Sequence, residues 1–242
     1  MSRRNSPTNG ITGLLIIDKP RGMTSMDVIR VVRRGAGGAK TGHAGTLDPL
    51  ATGVLVVALG KATRWIDRLM ATSKRYESII DLTAFTTTDD LEGERTEIAV
   101  PDPPSRKQIE KILKDQFTGN IMQKPPAFSA IKIKGRRAYD LARKGVETQI
   151  PPRPAIVHSI GVFDYEWPLL TLAVHCAKGF YIRALARALG EALHTGGHCT
   201  QIRRTAVGPF TLTHATPVDD LPETITTDLL IDLDKAEQLL AG

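Results

Sequence analysis

Apolar residues recur along the chain in runs and alternations that predict β-strands. The run ITGLLIID, which ends at Lys19-Pro20, and the run VLVVALG are typical of buried strands. Two further strands are predicted for YESIIDLTAF, which begins at Tyr76, and for LTLAVHC, in which apolar and polar residues alternate. These segments are spread over most of the sequence and separated by other patterns.

Two helices are marked by capping boxes, in which an N-cap side chain and the residue three positions later bind each other's backbone N–H groups. One box pairs Thr24 with Asp27, and the other pairs Ser105 with Gln108. The first predicted helix continues to residue 34, and Gly119 ends the second.

Apolar residues three and four positions apart predict two more helices, each with one buried face. The two apolar stripes are Ala62, Trp65, Ile66, Leu69 and Met70, and Ile182, Leu185, Ala186, Leu189 and Leu193. The other face of the later helix carries Arg183 and Arg187. Strands mixed with helices, without a strict βαβ rhythm, predict an α+β fold.

The stretch GHAGTLDPLATG, from Gly42 to Gly53, follows neither period and is predicted to be a loop. Glycine permits backbone angles and close approaches that a side chain would block, and Pro49 restricts the residue before it, Asp48. The loop therefore holds a carboxylate in a restricted conformation. On this stretch alone, the favoured interpretation of Asp48 is a turn residue that caps a backbone N–H.

A proline-rich segment, residues 120–157, carries a basic cluster and is predicted to be a surface insertion. The cations of this cluster are Lys132, Lys134, Arg136, Arg137, Arg143 and Lys144. Such a run is usually a solvated face, but Tyr139 adds a stacking surface of the kind that RNA-binding proteins use. The cluster therefore favours contact with nucleic acid.

Composition supports a nucleic-acid partner and excludes several other classes. The chain has 32 Lys and Arg against 26 Asp and Glu, and residues 214–242 form an acidic tail, so the rest is more basic still. Two cysteines form no disulfide framework, which favours a reducing cytoplasm, and no apolar run is long enough to span a bilayer. The glycine-rich stretch fits neither common nucleotide-binding fingerprint, and the His-Cys pairs lack zinc-site spacing.

Six segments resemble the motifs of the TruB family of tRNA pseudouridine synthases, in that family's order. The longest, GHAGTLDPLATGVLVVALGKATRW, begins at Gly42 and matches nearly position for position. The others are IIDKPRGMTS (16–25), KRY (74–76), PAFSAIKIKGRRAYDLARKG (126–145), HCAKGFYIRAL (175–185) and IRRTAVGPF (202–210). The resemblance therefore extends over most of the chain.

The resemblance implies the pseudouridine synthase fold, a central mixed, mainly antiparallel sheet flanked by helices. It implies a disordered arm at 1–10, one catalytic domain at 11–242, and a thumb-like RNA-binding insertion at about 119–152. The implied activity is isomerisation of uridine 55 in the T-loop of tRNA to pseudouridine, on a base flipped out of the loop. No cofactor and no metal are expected. The implied partner is the tRNA T-arm, bound by a cytoplasmic monomer without guide RNA or membrane.

Roles for individual residues also follow from the resemblance. Asp48 matches the nucleophile, Arg183 matches the arginine that pairs with it, and Tyr76 matches the tyrosine that stacks on the target base and is the candidate for removing the C5 proton. The residues expected to bind substrate are His43, which occupies the space of the flipped base, Tyr181 and Ile202 in the uracil pocket, and Lys19-Pro20 beneath the loop. Arg64 and the basic cluster are expected to bind RNA.

Two departures from the family pattern bear on these expectations. Most family members continue into a small C-terminal β-domain, whereas this sequence stops at Gly242, so no PUA-like domain is expected. Guide-RNA-dependent relatives usually carry Lys-Val after Asp-Pro, where this chain has Leu50-Ala51. A non-catalytic RNA-binding or tRNA-chaperone protein of the same fold remains an alternative.

Overall fold

The computed structural model describes residues 10–126, 132–133, 136–137 and 150–241 of the 242-residue chain. The chain divides into two compact units, one formed by residues up to 75 and from 203 onward, the other by residues 76–202. Residues 1–9 of the predicted arm lie outside the described part.

The strands of the described residues are numbered in chain order. They are β1 (Gly13–Lys19), β2 (Thr41–His43), β3 (Thr52–Leu59), β4 (Lys74–Asp81), β5 (Ala84–Thr86), β6 (Arg95–Glu97), β7 (Gly119–Gln123), β8 (Lys132–Ile133), β9 (Arg136–Arg137), β10 (Arg153–Glu166), β11 (Leu169–Cys176), β12 (His198–Val207), β13 (Phe210–Thr211) and β14 (Thr216–Pro217). The α-helices are α1 (Ser25–Gly35), α2 (Ile66–Ala71), α3 (Arg106–Gln116), α4 (Ile182–Leu193) and α5 (Leu233–Ala241).

The first unit is built on a mixed sheet with the strand order β14-β1-β3-β12. β1 and β3 are antiparallel, β14 runs parallel to β1 on one side, and β12 runs parallel to β3 on the other. Its core contains β1 and β3 side chains such as Leu14 and Val56, with Leu69 of α2 and Phe210 of β13. The predicted tail belongs to this core, because Ala236 of α5 is fully buried in it.

The second unit contains the order β12-β4-β11-β10-β7, and the pairs β10–β11 and β10–β7 are antiparallel. α3 packs against β10 and α4. Both predicted capping boxes are present, at the beginnings of α1 and α3, because each is a purely local signal. The predicted α+β class, with a mixed and mainly antiparallel sheet flanked by helices, is confirmed.

The structure differs from the predicted elements in three places. Residues Gly60–Trp65 form a 3₁₀ helix ahead of α2, and the Thr63 hydroxyl donates to the Gly60 carbonyl (2.8 Å) there. The strand that begins near Tyr76 breaks after Asp81, whose carboxylate accepts hydrogen bonds from the backbone and hydroxyl of Thr83. Such local bonds compete with regular structure.

The third difference concerns the predicted surface insertion, because both of its ends are sheet strands. β7 pairs with the beginning of β10, from Gly119↔Val157 to Arg153↔Gln123, so the two flanks of the predicted insertion are neighbouring strands. No helix in the described part of the chain is long and apolar enough to cross a membrane.

Candidate active site

The loop that carries Asp48 connects β2 to β3 in the first unit, and two glycines determine its path. Gly45 and Gly53 both have φ +99°, a left-handed conformation that favours glycine. A Cβ atom on Gly53 would also lie 2.2 Å from the backbone oxygen of Arg204, so no other residue fits at the end of the loop. The loop is thus tightly constrained, and Asp48 within it is half-buried.

Lys19, at the end of β1, is fully buried against this loop. Its ammonium donates to the carbonyl groups of Pro20 (2.9 Å), Met23 (2.7 Å) and Pro49 (3.5 Å). Burial lowers the Lys19 pKa to about 8, while the negative charge of Asp48 acts in the opposite direction. Lys19 therefore ties the turn after β1 to the residue that follows Asp48.

Arg204 braces the same loop from β12, a role that the sequence analysis missed. Arg204 is 2% exposed, and its guanidinium donates to the carbonyl groups of Val54 (2.8 Å) and Gly45 (3.0 Å). Ile202, Arg204 and Ala206 are all buried, which is the period-two pattern of a strand with one covered face. That alternation was the available signal, because it places an arginine among buried positions.

His43 is the last residue of β2 and lies immediately before the loop. Burial, and secondly the nearby Arg204 guanidinium, lower the His43 pKa below its ordinary value of 6.5. The imidazole is therefore neutral at neutral pH, and it presents a ring without a charge beside the loop.

Arg183 lies in the first turn of α4 in the second unit and is buried together with an acidic pair. Its guanidinium is 3.3 Å from the Asp90 carboxylate and donates to the Thr88 carbonyl (3.0 Å). One turn later, Arg187 forms an ion pair with Asp89. The predicted pairing of Arg183 with Asp48 joins residues of different units and stays a prediction.

Asp89 and Asp90 were not identified from the sequence. Asp89 has φ 62°, a conformation that is uncommon for residues other than glycine. Burial raises the Asp89 pKa to about 6, against the opposing attraction of Arg187 and Arg183. The available signal was a pair of adjacent acids and a pair of arginines four residues apart on a predicted helix, but Arg187 and Asp89 are 98 positions apart in the sequence.

The remaining predicted pocket residues of the second unit lie in three elements. Tyr181 is the N-cap residue of α4, Tyr76 lies in β4 and Ile202 in β12. Ser78 donates to the Gln201 carbonyl (2.8 Å), so Tyr76 and Ile202 are at the same end of the β4–β12 pair. Tyr76 and Tyr181 are half-buried, and Ile202 is buried.

The predicted RNA-binding residues fall into two groups. Arg64 is exposed and lines an open cleft of about 840 Å³ with Lys40 and Lys61, and the described lining of that cleft contains no acidic residue. Lys132 and Arg136-Arg137 lie in the antiparallel strand pair β8–β9. Lys134, Arg143 and Lys144 lie outside the described residues.

Two protein-family models match the chain. The TruB family pseudouridylate synthase N-terminal domain matches residues 33–182, and the tRNA pseudouridylate synthase B C-terminal domain matches residues 183–236. The tRNA pseudouridine synthase B of Corynebacterium glutamicum strain R is 49% identical over 230 residues, covering 93% of this chain and 76% of that protein. The protein of the same name from Arthrobacter sp. strain FB24 is 45% identical over 223 residues, covering 88% and 71%.

Chains in two solved structures are similar to this chain in fold and in sequence. A chain in the crystal structure of a Cbf5-Nop10-Gar1 complex has a TM-score of 0.68 and 32% identity, covering 86% of this chain and 53% of that one. A chain of an H/ACA RNP bound to a substrate RNA containing 2′-deoxyuridine has a TM-score of 0.65 and 30% identity, covering 86% and 52%. This chain therefore spans about half the length of those solved chains.

Proposed function

This chain belongs to the TruB family of pseudouridylate synthases, and we propose that it converts uridine 55 in the T-loop of tRNA to pseudouridine. The relatives that match most of its length carry the name tRNA pseudouridine synthase B. The observation that carries the proposal is the Asp48 loop, which two buried cations, Lys19 and Arg204, bind through its carbonyl groups. A loop so braced suits a carboxylate that must hold one orientation.

Asp48 is the proposed nucleophile. The isomerisation breaks the N1–C1′ bond, forms a C5–C1′ bond, releases the C5 hydrogen to solvent and adds a proton to N1, so it is redox-neutral. A carboxylate can attack only when it is ionised, oriented and shielded from bulk water. Asp48 is half-buried in a constrained loop, with the Lys19 ammonium in electrostatic reach, and these features support the assignment.

The remaining proposed roles belong to rings and cations of the site. Tyr76 stacks on the uracil and accepts its C5 proton, while Tyr181 and Ile202 line the pocket. Arg183 supplies positive charge for the carboxylate, and its burial beside Asp90 supports a fixed position for that charge. His43 fills the space of the flipped uridine. The neutral imidazole supports this role, because an uncharged ring can be buried without the cost of desolvating a charge.

Basic residues on the surface are proposed to bind the tRNA backbone. Arg64, Lys40 and Lys61 surround an open cleft with a strongly positive lining, which suits phosphate groups. The basic cluster that begins at Lys132 is the second proposed contact. In this proposal the protein acts as a cytoplasmic monomer and reads the T-arm directly, without a guide RNA.

The experiment that tests this function uses full-length tRNA transcripts tritiated at C5 of every uridine. We expect release of one tritium per tRNA, and none when position 55 is cytidine. Asp48→Asn should abolish the release, whereas Asp102→Asn, which changes an exposed aspartate, should leave it intact. Release that persists in the cytidine-55 transcript would refute the assigned position, and binding without release by the unaltered protein would favour the RNA-chaperone alternative.

A further inference from the structure

The side chain of Gln123 holds the backbone of Tyr181 by two reciprocal hydrogen bonds. The Tyr181 N–H donates to Gln123 Oε1 (2.9 Å), and Gln123 Nε2 donates to the Tyr181 carbonyl (3.0 Å). Gln123 is 7% exposed and is the last residue of β7. Both bonds require an acceptor and a donor at the end of one side chain, which an amide provides at every pH and a carboxyl only when it is protonated.

These bonds act at the point where α4 begins. Tyr181 is the N-cap residue of α4, and no side-chain hydrogen bond of its own caps the helix. Its carbonyl also accepts the first intrahelical bond, from the Leu185 N–H (3.1 Å). The Gln123 amide therefore fixes both the residue that starts the helix and the carbonyl that its first turn uses.

A second contact fixes the next residue of the chain to the same helix. Arg187 donates to the Lys124 carbonyl (2.7 Å) while it is paired with Asp89. Two consecutive residues, Gln123 and Lys124, are thus bound to α4, the first at its N-cap residue and the second at Arg187. The start of α4 is held against the end of β7 and not merely packed beside it.

We infer that Gln123 is a positioning residue for the pseudouridine reaction, an inference that rests on the function proposed above. The N-cap and the first turn of α4 carry Tyr181 and Arg183, the proposed pocket tyrosine and the proposed partner of the nucleophile. Gln123 acts on both through the backbone of Tyr181 and touches no substrate. Its loss should therefore slow the reaction while RNA binding is largely retained, because displacement of a positioning group by about 1 Å can cost about a hundredfold in rate.

The test uses three variants of the full chain. Gln123→Met keeps the length of the side chain and removes both hydrogen bonds. Gln123→Glu keeps the shape, but its ionised form faces the Tyr181 carbonyl without a donor. Gln116→Glu, at the exposed end of α3, is the matched control for the added charge. Single-turnover tritium release from a T-arm stem-loop gives the rate, filter binding gives Kd, and thermal unfolding gives Tm.

We expect Gln123→Met to lower the single-turnover rate by about tenfold to a hundredfold, with Kd within about threefold of the unaltered protein. The rate of Gln123→Glu, divided by that of the unaltered protein at each pH, should rise as the pH falls and the carboxyl gains its proton, because the protonated group again donates and accepts. The same ratio should be independent of pH for Gln123→Met and for Gln116→Glu.

Two results would overturn the inference. An unchanged rate in Gln123→Met would show that the two bonds do not matter for the reaction. A pH-independent Gln123→Glu ratio, with rates that fall only as far as the folded fraction does, would reduce Gln123 to a structural residue. An unaltered protein that releases no tritium from stem-loop or full tRNA would instead refute the proposed function, and the inference with it.

Discussion

Arg204 offers a direct test of the argument that buried cations hold the Asp48 loop. Arg204→Met removes a guanidinium that donates to the carbonyl groups of Val54 and Gly45. Its neighbour Arg203 provides a matched control, because it points to the other side of β12, where it forms an ion pair with Asp18 (2.7 Å) and is 32% exposed.

The expected loss in the free energy of unfolding depends on which groups lose a partner when each arginine is replaced. A buried carbonyl that loses its donor costs about 1–3 kcal/mol, and Arg204→Met affects two, although it also removes a buried charge. We therefore expect a loss of about 3 kcal/mol in the free energy of unfolding, or a fall in Tm of about 6–12 °C for a chain of this size. Arg203→Met breaks a partly exposed ion pair, which should cost less than about 1 kcal/mol.

Urea unfolding followed by far-UV circular dichroism measures both losses, and tritium release measures activity in the same preparations. Arg204→Met should also lower activity more than Arg203→Met, since the brace acts on the loop that carries Asp48. Equal losses of stability in the two variants, or a larger loss in Arg203→Met, would show that Arg204 does not brace the loop.

Three further predictions concern the ion pairs and the glycines. Asp90→Asn removes a buried carboxylate that lies 3.3 Å from the Arg183 guanidinium and should cost about 3–5 kcal/mol in urea unfolding, because it breaks a buried ion pair; a cost below about 1 kcal/mol would contradict this. The Asp89 pKa is about 6 in the folded protein and 3.8 in the unfolded chain, so Asp89 stabilises the native state below pH 4 and loses that contribution as the pH rises through 6. Relative to Asp89→Asn, the free energy of unfolding of the unaltered protein should fall by up to about 3 kcal/mol between pH 4 and pH 7. A constant difference between the two proteins across that range would contradict the raised pKa. Gly53→Ala should lower Tm much more than Gly37→Ala, although both glycines have positive φ. A Cβ atom would lie 2.2 Å from a backbone oxygen at position 53, whereas it would meet nothing within 4 Å at position 37. Similar Tm values for the two variants would contradict the close approach at Gly53.

Local signals allowed the sequence to predict much of the fold. The beginnings of α1 and α3 were readable because a capping box involves residues only three positions apart. β1 and β3 were readable from their apolar runs. The 3₁₀ helix at Gly60–Trp65 was missed, because apolar spacing resembles that of an α-helix there while a hydroxyl–carbonyl bond and a positive-φ glycine decide the local geometry.

The resemblance to the TruB family, carried by six motifs, is confirmed by the family models and by a relative that is 49% identical over 230 residues. The supports of the site were harder to predict. Arg204, Asp90 and Gln123 bind groups that are 58 to 159 positions away in the chain, and no periodicity relates such residues. The individual roles of Asp48, Tyr76 and Arg183 stay predictions.

Asp48 can be tested as the nucleophile by comparing the unaltered protein with Asp48→Asn on a T-arm stem-loop labelled with tritium at C5 of uridine 55. Asparagine keeps the size of the side chain and removes the nucleophilic charge, so we expect RNA binding within about threefold and no detectable tritium release. Release by Asp48→Asn at a rate comparable with that of the unaltered protein would show that the braced loop holds a residue that takes no part in the chemistry.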